Sequence, residues 1–68
     1  MTGILIWNGE RSDIAFDNGM LYGGLHCGEC FDVFAGCWKK VRLELSQGWM
    51  VVENGKMMPV QYGLRVRI

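Results

Sequence analysis

Sixty-eight residues and 7.7 kDa leave room for one domain, spanning 1–68, because independent domains run to about 100–200 residues. Half of the residues are hydrophobic and 21% are charged, which excludes a disordered chain. Seven basic residues stand against seven acidic ones, so no net field draws the molecule to nucleic acid or to an anionic membrane.

Such a chain has a folded surface of about 4,300 Å² and buries only about 60% of what it exposes unfolded. Its core is therefore expected to need support from a staple or a partner. The first nine residues contain no basic segment and only a four-residue apolar run, 4–7, which fits neither a signal peptide nor a transmembrane span. The expected setting is the reducing cytoplasm, where Cys27, Cys30 and Cys37 are thiols.

In chain order, short runs of strand character lie at 4–7, 13–16, 30–35, 38–45, 49–53 and 64–68. Asn8-Gly9, Asn18-Gly19 and Asn54-Gly55 separate or flank them, and Asn-Gly is the commonest two-residue hairpin signal because both central positions of its turn need positive φ. In 30–35, Phe31, Val33 and Ala35 share one face while Asp32 and Phe34 take the other. In 38–45 a helical stripe competes, but Gly36 and Gly48 bracket the run, no N-cap opens it, and Ser46-Gln47-Gly48 suits a hairpin loop, so a strand is expected. Residues 56–63, with the only proline, are expected as a loop crossing an edge or a barrel end. In 64–68, Leu64, Val66 and Ile68 alternate with Arg65 and Arg67, the pattern of a half-buried strand.

These elements predict an all-β domain. The expected form is a small five- or six-stranded antiparallel, partly open SH3-like barrel, because so short a chain can bury one sheet face only by curling the sheet on itself.

The segment Leu25-His26-Cys27-Gly28-Glu29-Cys30-Phe31-Asp32-Val33, with Gly36-Cys37-Trp38, Arg42-Leu43-Glu44 leading into Gly48-Trp49, and the closing Tyr62-Gly63-Leu64-Arg65-Val66-Arg67-Ile68, resembles a family of small uncharacterised bacterial domains common in Gram-positive bacteria and their mobile elements. The resemblance covers roughly residues 21–68. It implies a compact β domain of unknown function, with no catalytic or binding residues to carry over.

Several residue sets could carry chemistry. Cys27 and Cys30 have the two-residue spacing that lets both thiolates reach one metal, and His26 and Cys37 would complete four soft ligands. A second pair at matching distance is missing, however, and adjacent His26 and Cys27 point oppositely in an extended segment, so no metal and no other cofactor is expected. One histidine and two serines in expected turns offer no nucleophile–base pair, and no catalysis is expected. Lys39, Lys40, Arg42, Arg65 and Arg67 make five of the seven basic residues. On neighbouring strands near Trp38 and Tyr62 they would resemble the tracks by which small barrels hold single-stranded nucleic acid. Three tryptophans, three phenylalanines, two tyrosines and five methionines exceed what this core can bury, and Trp38, Phe34, Met50, Val52 and Tyr62 are the expected interaction surface. The leading expectation is a cytoplasmic protein–protein interaction or accessory module that forms a homodimer and meets a further, unknown protein partner, with no membrane role. A single-stranded nucleic-acid-binding barrel is the alternative, and a small zinc-bound β domain ranks third.

Overall fold

Where apolar and polar residues alternate, as in 30–34, 38–45 and 65–67, each extended run has one apolar face, and pairing the runs into one antiparallel sheet brings those faces to the same side. The computed structural model describes residues 1–45, 49–53 and 55–68, and for 45 and 49–53 the backbone alone. Its strands are β1 Thr2–Trp7, β2 Ser12–Phe16, β3 Cys30–Phe34, β4 Trp38–Leu45, β5 Trp49–Glu53, β6 Lys56–Pro59 and β7 Arg65–Arg67. They form one sheet in the order β2-β1-β7-β3-β4-β5-β6, and every ladder is antiparallel.

The all-β, antiparallel class holds, but the described residues form seven strands rather than five or six. Residues 56–59, expected in a loop, form β6, with Met58 opposite Val51 and Pro59 opposite Met50. Pro59 ends the strand at the sheet edge, where its missing N–H costs nothing. Among the described residues no ladder joins β2 to β6, so the sheet is open, and its strand order leaves the SH3-like comparison without support.

The core lies on one face: Leu5 of β1, Ile14 of β2, Phe31 and Val33 of β3, Val41 and Leu43 of β4 and Val66 of β7, closed by Leu25 from the loop after β2. Register explains the set, because Leu5 faces Ile14, Val66 faces Val33 and Phe31 faces Val41. Gly3 lies between Phe16 and Val66 in the same register, and a Cβ there would sit 2.4 Å from the Ala15 carbonyl oxygen. The total surface of 4222 Å² agrees with the size expectation. Ile68 departs from its expected place. It lies past the end of β7 and is exposed, with its N–H bonded to the Met1 carbonyl at 2.9 Å.

The first two Asn-Gly steps serve as turns with different spans. Asn8 opens a four-residue connection in which its Oδ1 accepts from the N–H groups of Glu10 and Arg11. Asn18-Gly19 returns the chain alongside β2, with the Gly19 N–H bonded to the Phe16 carbonyl. In the third, Glu53 pairs with Lys56 across Gly55, whose φ is 79°; Asn54 lies outside the described residues, as does the expected hairpin loop Ser46-Gln47-Gly48.

The two sheet edges are finished differently. Along β2, the Leu21 bridge to Ala15 and the bonds Phe16 N–H to Met20, Tyr22 N–H to Ile14 and Leu25 N–H to Ser12 cover the outer side. Ser12 and Asp13 are consequently buried together with Ile14. Along β6 the described residues make no backbone bond except the ladder to β5.

Candidate interaction surface

Alternation places Arg65 and Arg67 of β7, Asp32 and Phe34 of β3, and Trp38, Lys40, Arg42 and Glu44 of β4 on the face opposite the core. Lys39 falls on the other side, half-buried opposite Val33, so the five expected basic contacts do not share one surface. The four that do are spread over β7 and β4, which β3 separates. Asp32 stands between Arg67 and Lys40 in register.

Carboxylates occupy three of those four cations. Arg65 grips Asp17 with two bonds of 2.7 Å, and this grip, with a 2.6 Å bond from the Thr2 hydroxyl, holds the Asp17 carboxyl below its usual range. The Arg67 guanidinium bonds Asp32 through Nε at 3.2 Å and Nη2 at 3.1 Å, and its Cζ lies 4.3 Å from the centroid of the Trp38 ring. Arg42 pairs with Glu44. Only Lys40 of the four lacks an ion pair among the described residues. Exposed pairs of this kind each contribute about 0–1 kcal/mol to stability, but they do cancel the field that a phosphate backbone would follow.

The expected apolar surface is divided. Phe34 packs edge-on to Trp38 with ring centroids 5.3 Å apart. Tyr62 is elsewhere: its ring meets Trp7 at 6.3 Å and its hydroxyl lies 2.8 Å from the Ser12 hydroxyl. The nucleic-acid expectation, which set Tyr62 beside Trp38, is not met in that respect, because the N–H of Gly63 and the carbonyl of Leu64 bond Leu5 and carry Tyr62 to the β1 side. Met50 and Val52 stand opposite Glu44 and Arg42 in register, but their side chains lie outside the described residues.

What the structure adds is a cleft of about 180 Å³ lined by Val33, Phe34 and Ala35 of the β3 end, Val41, Met58 and Pro59 of β6, Gln61 and Leu64. In a flat sheet, β3 and β6 would lie about 14 Å apart, with β4 and β5 between them. Their residues share one cleft because the sheet curls toward its core face. Of its lining, Phe34 and Met58 are 45% and 42% exposed; Met57, next to Met58 in β6, is 46% exposed. Met57 and Met58 carried no alternation to mark them; their only signal was two adjacent flexible apolar side chains next to a proline, a composition suited to adaptable contact surfaces.

The cysteine segment forms a turn. The Glu29 N–H bonds the His26 carbonyl at 3.1 Å, and Gly28 and Glu29 bond Leu43 of β4. Glu29 accepts from the His26 N–H at 2.9 Å and from the Tyr22 hydroxyl. Burial pushes the Glu29 carboxyl up, and these bonds outweigh it, so the group lies below its ordinary range. Cys27 Sγ lies 3.4 Å from a Glu44 carboxylate oxygen, and all three cysteines are exposed. Among the described residues no three His, Cys, Asp or Glu side chains converge as a metal site, and no helix is long and apolar enough to cross a membrane.

Comparison with known proteins adds a fold partner without a stated activity. No curated protein matches the chain. It is similar to a protein from Ruminococcus gnavus whose crystal structure was determined by the Northeast Structural Genomics Consortium, at 44% identity and a TM-score of 0.86, over 100% of both chains. Residues 3–68 match the family described as a domain of unknown function (DUF5348), and the chain belongs to that family.

Proposed function

We propose that the protein is a non-catalytic interaction module that associates with itself and serves a larger cytoplasmic or mobile-element assembly as an accessory. The observation that carries this reading is the apolar cleft with exposed Phe34 and Met58 in its lining, on the edge strand that also exposes Met57. Apolar side chains grouped at a concave site support a protein interface. The polar clusters, by contrast, are spent on holding turns: the single histidine, His26, engages Glu29 within its own turn.

Light scattering across micromolar concentrations tests the reading. A mass near twice 7.7 kDa is expected, and a mass of one chain throughout would refute self-association. Recovery of a protein partner from host lysate, unchanged by nuclease, is the expected result for the accessory role.

One observation favours a second reading, binding of single-stranded nucleic acid: Arg67 stacks on Trp38 on the face that also carries Lys40, Arg42 and Arg65. It ranks below the first because Asp17, Asp32 and Glu44 neutralise the three arginines. The zinc-bound reading ranks third.

A further inference from the structure

The unequal finish of the two sheet edges decides where a copy of this chain can add. The β2 edge is occupied by the chain's own residues 20–25, whereas β6 is an end strand of four residues, all exposed, with no backbone partner beyond β5 among the described residues. An unpaired edge is a template for another strand. Natural sheets blunt such an edge with short strands, lysine or proline; β6 has Lys56 and Pro59 at its ends, but its centre is the apolar Met57-Met58.

We propose that β6 pairs antiparallel with β6 of a second copy about a two-fold axis, joining two seven-stranded sheets into one. This rests on the self-association reading above and assigns it a surface. Three observations favour a copy over a foreign segment. Antiparallel self-pairing centred on Met57 sets Met57 against Met57 and Lys56 against Met58, so no like charges face each other. With the β2 edge covered, the contact uses the one open edge of each copy and closes at two chains instead of growing into a fibre. The surface is also continuous with the apolar cleft, since Met58 and Pro59 belong to both, so the paired strands bring the two clefts side by side.

The test is sedimentation of the wild type and of a Met57→Lys/Met58→Lys double variant across a dilution series, with circular dichroism confirming the fold. Four added lysines on the paired strands are expected to raise the dimer dissociation constant at least roughly tenfold. A variant as dimeric as the wild type would overturn the edge assignment and leave self-association standing. A wild type that stays monomeric, including one whose β6 amides are protected only by an added extended peptide, would overturn both. Should the variant not fold, amide exchange of the wild type decides. The β6 amides are expected to slow at dimer-forming concentration, and exchange that is unchanged while the mass doubles would overturn the edge assignment.

Discussion

Replacing Asp13 tests how the β2 edge is held. Its carboxylate is 1% exposed and gathers four donors: Oδ1 accepts from the N–H groups of Ile14 at 2.8 Å, Gly23 at 3.0 Å and Gly24 at 2.9 Å, and Oδ2 accepts from Asn8 Nδ2 at 3.1 Å. The Asp13→Ala variant strands these donors. Gly23 is exposed and can turn to water, but Ile14 and Gly24 are buried. Hydrogen bonds to a charged group contribute about 1.5–3 kcal/mol each, so the loss for the two buried donors is about 3–6 kcal/mol. At about 4–8 °C per kcal/mol in a domain of this size, that corresponds to a fall of about 12–48 °C in Tm. Asp13→Asn keeps Oδ1 for the three backbone donors and sets an amide against Asn8 Nδ2, for a smaller loss of about 1–2 kcal/mol. Burial pushes the Asp13 carboxyl up, but the bonds from Asn8, Gly24, Ile14 and Gly23 outweigh it and hold the carboxyl below its ordinary value. The stability this gives is present above the unfolded pKa of about 4 and is lost as pH falls through the lower folded value. Asp13→Asn should therefore lose less stability than the wild type on acidification below about pH 4. Urea unfolding followed by tryptophan fluorescence measures both effects. An Asp13→Ala chain that does not fold meets the expectation, and Asp13→Asn keeps the quantity measurable. Equal stability of the two variants, or an Asp13→Ala loss under about 1 kcal/mol, would refute the account.

Gly3→Ala should destabilise by about 1–3 kcal/mol through overpacking, because the new Cβ meets the Ala15 carbonyl oxygen at 2.4 Å and Ile14 Cγ2 at 2.9 Å; thermal unfolding unchanged from wild type would contradict that geometry. Purified protein should hold substoichiometric zinc, and a chelator should leave its circular dichroism unchanged; one zinc per chain with melting on chelation would promote the third reading. Oligonucleotide binding should be no tighter than about 100 µM even at low salt. Tight, salt-sensitive binding lost on replacing Arg65 and Arg67 by Gln would reverse the order of the first two readings.

Much of the sheet was legible because its signals are local. Alternation at 30–34 and 38–45, and Val66 between Arg65 and Arg67, depends on side-chain direction alone, and six of the seven strands among the described residues coincide with runs expected to have strand character. The strand over 38–45 prevailed over a helix because its apolar residues had a sheet face to meet. Asp32 and Glu44 neutralise Arg67 and Arg42 because each lies on or next to the strand of its arginine. Asp17 could not be foreseen, because its partner Arg65 is 48 residues away and meets it only through the pairing of β1 with β7. The strand character of β6 likewise belongs to tertiary structure: Lys56-Met57-Met58-Pro59 has no alternation and becomes a strand because β5 supplies its ladder. Burial of Asp13 beside Ser12 and Ile14 breaks the period of two, because residues 20–25 cover the strand's outer side. The cleft is the least local feature of all. It exists because the whole sheet curls, bringing together residues whose strands are separated by two others, and no spacing along the chain records a curvature.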